Sequence, residues 1–219
     1  MISYEGIKKD EAIRTYITAA DASLLALGYT EHSFAHVNKV AADAANILEK
    51  LGYSEEDVEL CKIAGYMHDI GNLVNRVDHS QSGALIAFRI LDNMGMEPEK
   101  IAKIVTAIGN HDEGTGVPVS PVAAALILAD KSDVRRSRVR NSDFASFDIH
   151  DRVNYSVEDS RLEINADEKT INLVLKIDTE ISPIFDYFEV FVERMLLCRR
   201  SADKLGLKFG LIINEQKFI

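Results

Sequence analysis

The sequence predicts an α+β chain of two parts: a helical bundle over residues 1–140 and a small C-terminal unit of three or four strands and one helix over 141–219. Two observations carry this. From Ile7 to about Arg140 the apolar residues recur at helical spacing, with turns marked by Gly28, Gly52, Gly71, Gly95 and the Gly114–Pro118 cluster. After Asn141 the pattern changes to short, alternating runs rich in β-branched residues.

The elements follow in order. Within 34–51, Val37, Val40, Ala41, Ala44, Ile47, Leu48 and Leu51 form one stripe, and His36 lies four residues before Val40, facing inward. Ser54, with Asp57 three residues on, starts the next helix. Its stripe of Val58, Cys61 and Ala64 continues to His68, and Gly71 stops it. Pro98 suits a first turn, and Ile101, Ile104, Val105 and Ile108 lead to His111. Ser120-Pro121 opens an almost wholly apolar helix in which Ala123, Leu126 and Ile127 precede Asp130 on the same face. Beyond it, residues 152–158, 160–166 and 170–178 read as a strand meander. Ser182-Pro183 then starts an amphipathic helix that closes at Gly206, and 207–214 reads as a last strand.

Several chemistry-bearing residues fall on these buried stripes: His36, the pair His68-Asp69, His79, His111 and Asp130. An ionisable side chain on an apolar stripe costs several kcal/mol, roughly, unless it is paired or coordinates a cation. Taken together, these residues point to a metal site. Imidazole and carboxylate without thiolate suit borderline or harder divalent ions, iron and manganese first, with zinc, cobalt and nickel as alternatives, and one Asp can bridge two of them.

The pattern His36-x-x-Lys39-Val40, then His68-Asp69-x-Gly71, then Leu128-Ala129-Asp130, resembles the HD superfamily of metal-dependent phosphohydrolases over roughly residues 30–140. His79 in 79–84 and His111 in 110–113 resemble the extra histidines of its dinuclear branches, the HD-GYP phosphodiesterases and the HD-type dinucleoside polyphosphate hydrolases. The resemblance implies one divalent transition-metal ion held by His36, His68 and Asp130, a second by His79 and His111, and Asp69 bridging them. It places the catalytic work at Asp69 and His68 and implies hydrolysis of a nucleotide or small phosphoester by a metal-activated water. Two alternatives stand beside it, an HD-type di-iron oxygenase and a non-catalytic HD-fold signalling module.

Two departures shape the expected substrate. Asn72 stands where many HD enzymes carry a Lys next to the HDxG glycine, and Gly114–Pro118 lacks the HD-GYP Tyr, which argues against a cyclic dinucleotide. Substrate phosphate must then be met elsewhere. Lys131, Arg135, Arg136, Arg138 and Arg140 are concentrated in a chain of net charge −10, and from this patch Arg135 and Arg136 are candidates, with Lys39 and Arg76 as weaker ones. Asp133 reads either as a residue orienting a ligand or as a surface group. His32 reads as exposed and without a role, and His150 as a strand or loop residue.

The acidic balance argues against duplex nucleic acid as a partner. No run of about 18 apolar residues exists to span a membrane, and residues 1–14 lack a signal peptide's apolar region, so a cytoplasmic location is expected. Cys61 and Cys198 form no pair motif and are expected to be reduced thiols. The tail is expected to cover one face of the bundle or to pair with a second copy in a homodimer.

Overall fold

A computed structural model describes residues 2–219. The bundle comprises α1 (Tyr4–Lys9), α2 (Glu11–Ala26), α3 (Phe34–Lys50), α4 (Glu55–Met67), α5 (His79–Asn93), α6 (Pro98–Gly109) and α7 (Pro121–Ser132), followed by a short α8 (Ile149–Ser156). Starts are capped as the sequence signals. The side chains of Ser33, Ser54 and Ser120 accept from Ala35 N, Asp57 N and Ala123 N, and Pro98 and Pro121 sit in first turns. α7 is buried along its whole length except at its first residue, and it packs against α3, α4, α6 and α9 (Ile184–Lys204). A helix apolar on every face is one surrounded by others.

The C-terminal sheet has the order β1-β2-β3-β4, over Val157–Asn165, Thr170–Ile177, Lys208–Ile213 and Gln216–Lys217. β1 and β2 form an antiparallel hairpin, but the runs expected to break at 158–160 join there as one strand, bulged between Val157 and Asp159. The meander ends there, because the 21-residue α9 carries the chain back across the sheet and β3 pairs parallel to β2. Ile171, Leu173, Leu175 and Ile177 of β2, with Phe209, Leu211 and Ile213 of β3, face the core. Asn214 and Glu215, both at positive φ, turn β3 into β4.

Two further boundaries differ from the sequence reading. Residues 152–156, expected as strand, are helical: Asp148 caps α8 by accepting from Asp151 N, and Val153 lies one turn beyond Ile149, so a cap and helical spacing outweigh β-branched content. α4 ends at Met67 rather than at Gly71, and the chain passes through His68 and Asp69 into a 3₁₀ turn, Ile70–Leu73. Gly71 serves close packing there. A Cβ on it would lie 1.9 Å from the His79 carbonyl oxygen and 2.5 Å from Gly83 N, so the turn after His68-Asp69 rests backbone to backbone on the start of α5.

Candidate metal centre

Five segments deliver the site. His36 comes from α3, His68 and Asp69 from the end of α4, His79 from the first residue of α5, His111 from just past α6, and Asp130 from α7. All six are buried.

Each imidazole is oriented through its Nδ1–H. His68 donates to Gly65 O at 2.7 Å, His79 to Arg76 O at 3.0 Å, His111 to Ile108 O at 2.6 Å, and His36 to the carboxylate Oδ2 of Asp133 at 2.7 Å. A carbonyl only accepts, so the proton sits on Nδ1 and the Nε2 lone pair points to the other side of the ring. These lone pairs converge. His36 Nε2 and His68 Nε2 are 3.3 Å apart, and His79 Nε2 and His111 Nε2 are 3.2 Å apart.

The carboxylates lie among them. Asp130 Oδ1 is 3.3 Å from His36 Nε2 and 3.6 Å from His68 Nε2. Asp69 Oδ2 is 3.2 Å from His68 Nε2 and 3.5 Å from His36 Nε2, while its Oδ1 is 3.5 Å from His79 Nε2. Asp69 thus spans the two histidine pairs, and its buried Oδ2 has no hydrogen-bond partner. Facing lone pairs and an orphaned buried carboxylate oxygen are costly unless a cation lies between them. The residues fit divalent metal, and two donor groups, His36/His68/Asp130 and His68/Asp69/His111, are able to hold it, with His79 beside the second.

The electrostatics agree. Burial pushes His111 down to about 3 and also lowers His79, which keeps both as neutral donors. Burial opposes ionisation of Asp69 and Asp130 too, yet His68 holds the first, and Lys131 the second, well below the usual carboxylate range. His68 is the exception among the histidines: burial pulls it down, but the Asp69 charge, with Asp130, raises it to about 10. A proton on His68 and a divalent cation are alternative ways of balancing those two carboxylates.

The cluster opens into a cavity of about 420 Å³. Of the four phosphate candidates singled out, Arg76 alone lines it, while Lys131 and Arg138 of the same basic patch also reach it but are paired, the first with Asp130 and Glu113 and the second with Asp133. Lys39 pairs with Asp43 at 2.6 Å, Arg135 with Asp133 at 2.8 Å, and Arg136 donates to Tyr155 O at 2.6 Å and lies 3.9 Å from Asp178, so these three turn to partners outside the cavity. Arg76 makes no ion pair among the described residues, and its Nη1 lies 3.5 Å from Asn72 Oδ1 and 3.3 Å from His79 Nε2. Asn72, in place of the usual Lys, donates to Asp69 Oδ1 at 3.0 Å and so ties the carboxylate to the arginine.

Other residues were missed or misplaced by the sequence. His32 is half-buried, not exposed, and lines the cavity with its ring centroid 5.5 Å from that of His36. His150 is helical and sits at the cavity rim. Asp133 is fully buried and orients His36, while Arg138 donates to its backbone oxygen and to that of Glu31, both at 2.8 Å. Glu113, Lys131 and Arg194 form a chain of ion pairs ending on Asp130: Arg194 Nε to Glu113 Oε1 at 2.8 Å, Lys131 Nζ to Glu113 Oε2 at 2.9 Å, and Lys131 Nζ to Asp130 Oδ2 at 2.7 Å. Arg194 carried the same signal as His36, a charged group on an apolar stripe, here with Tyr187, Phe191, Met195 and Cys198. Asp133→Asn keeps the shape beside His36 but removes the charge, and it should weaken divalent-metal affinity about 10-fold in a chelator competition. Unchanged affinity would remove Asp133 from the site.

Fold and donor set together define a helical His–Asp protein whose core can hold divalent metal. The HD domain family model matches residues 33–135, the segment that carries all six donors. It is similar to an uncharacterized protein of Methanocaldococcus jannaschii, 29% identical over 217 residues that cover 88% of this chain and 82% of the relative. It is also similar to the crystal structure of a predicted HD superfamily hydrolase from an uncultured Thermotogales bacterium, with 24% identity, a TM-score of 0.45, and coverage of 57% of this chain and 67% of that one. No helix among the described residues is long and apolar enough to cross a membrane.

Proposed function

We propose that the chain is a metal-dependent phosphohydrolase that cleaves a phosphoester or phosphoanhydride of a nucleotide or small phosphorylated molecule with an activated water. The observation that carries this is the convergence of four imidazole Nε2 atoms and two ionised carboxylates at the floor of a cavity that also presents an arginine without a carboxylate partner. Bound divalent cations would supply Lewis acidity, lowering the pKa of water toward neutrality and stabilising charge on phosphoryl oxygens.

The chain's own residues do the rest. His36, His68 and Asp130 would hold one cation, His79 and His111 a second, and Asp69 would span both, Oδ2 toward the first pair and Oδ1 toward His79. The four Nδ1–H bonds fix the ring orientations before any ligand arrives, so little reorganisation is needed. Arg76, held at the Asn72 amide oxygen, offers its remaining donors to a substrate oxyanion. No side chain is needed as a covalent nucleophile. Arg76, without a carboxylate partner, favours an anionic substrate.

The test is elemental analysis followed by turnover. Protein purified without chelator should carry about two transition-metal ions per chain, and with manganese it should release phosphate from a panel of nucleotides and small phosphoesters. Because His68 keeps its proton up to about 10, a cation has to displace it, and metal affinity should rise with pH by up to about tenfold per unit from about pH 6 to about pH 8. Oxygen consumption by the iron form without phosphate release would replace this reading with the oxygenase.

A further inference from the structure

We infer that Arg194, delivered to the cavity by the C-terminal unit, is a substrate-binding residue that grips the phosphoryl oxyanion, so that the C-terminal unit completes the active site. The inference rests on the phosphohydrolase reading above.

Arg194 lies on α9, some 60 residues beyond the last donor of the cluster, yet it lines the same cavity as Asp69, His79 and Asp130. Its guanidinium is held in two ways. Nε donates to Glu113 Oε1 at 2.8 Å, and the group lies over the Phe191 ring at 4.3 Å. Both Nη groups, with four N–H donors between them, make no hydrogen bond among the described residues.

A pair that only docked α9 on the bundle would use the two-pronged edge of the guanidinium against both carboxylate oxygens. Here Glu113 splits its oxygens, giving Oε1 to Arg194 and Oε2 to Lys131, and the guanidinium keeps its free edge. Docking is already supplied by apolar packing of Tyr187, Phe191, Met195 and Cys198. The chain Asp130–Lys131–Glu113–Arg194 also ties the position of the guanidinium to that of a metal-ligand candidate, with each link between 2.7 and 2.9 Å. A planar fork held by stacking and one hydrogen bond, with its other edge free in a cavity, is built for a tetrahedral oxyanion.

Titration of the manganese-loaded protein with inorganic phosphate, read by calorimetry, tests this without turnover. Arg194→Ala should weaken phosphate binding about 10- to 100-fold, the loss expected for a charge-assisted hydrogen-bonded contact. Metal content should be unchanged, and Arg194→Lys, which keeps the charge but not the fork, should recover part of the affinity. Should Arg194→Ala fail to fold, Arg194→Gln, which keeps a donor for Glu113, carries the same measurement. Phosphate affinity equal to that of the parent would overturn the inference and leave Arg194 a docking residue. The two readings fail separately. Hydrolysis with unaltered phosphate affinity and KM in Arg194→Ala defeats the Arg194 assignment alone, whereas Arg194-dependent phosphate binding without turnover of any ester defeats the hydrolase reading alone.

Discussion

Asp69→Ala should abolish phosphate release, by at least about a thousandfold in kcat/KM, and lower bound metal from about two ions per chain to one or none. No other side chain of the cluster has oxygens facing both histidine pairs, Oδ2 at 3.2 Å from His68 Nε2 and Oδ1 at 3.5 Å from His79 Nε2. Removing it takes a ligand from each candidate site at once and leaves His68 without the charge that most raises its pKa. Asp69→Asn separates charge from shape. The amide can still accept from Asn72 Nδ2, which contacts Oδ1 at 3.0 Å in the parent, so this variant should fold normally and yet lose metal. An Asp69→Ala protein that kept two ions and full activity would refute the bridging assignment.

Gly71→Ala should be the most damaging substitution that touches no donor atom. The added Cβ would fall 1.9 Å from His79 O and 2.5 Å from Gly83 N, both backbone atoms, so the 3₁₀ turn and α5 must separate. Overpacking of this kind costs about 1–3 kcal/mol or more, and for a chain of this size each kcal/mol lowers the thermal midpoint by roughly 2–4 °C. The separation also carries His79 away from Asp69, so metal content should fall with stability. Gly52→Ala is the control. Gly52 has φ +75° with nothing within 4 Å of a Cβ, so the change should cost about 1 kcal/mol of backbone strain and leave metal binding intact. Equal metal content in both variants would show that the close approach at Gly71 has no bearing on the site.

Much of the bundle was legible because helical spacing and capping are local. Ser54 and Ser120 announce their helices within three residues, and the stripes through Val40 and Ile104 reveal which face turns inward. The tail was less legible. The run 152–158 alternates Val153, Tyr155 and Val157 as a strand would, and only the Asp148 cap with the packing of Val153 makes its first five residues helical. The parallel pairing of β2 with β3 depends on where α9 returns the chain, which no alternation within either strand encodes.

The basic patch after Asp130 marks the limit most clearly. Concentration of charge selected Arg135 and Arg136, but Arg135 pairs with Asp133 and Glu31, and Arg136 donates to the Tyr155 carbonyl and lies 3.9 Å from Asp178. Arg76 and Arg194 reach the cavity with donors to spare. From the sequence alone came the helical bundle, the kinds of donor atom buried in it, and the resemblance to HD domains, because periodicity, residue chemistry and motif order are properties of the chain read in line. Only the tertiary structure decided that Asp69 spans two histidine pairs, that Asp133 aims His36, and which arginines turn spare donors into the cavity. Those outcomes depend on partners brought together from distant segments, and a donor is available to a ligand only when it faces the cavity and nothing nearer in space has already taken it.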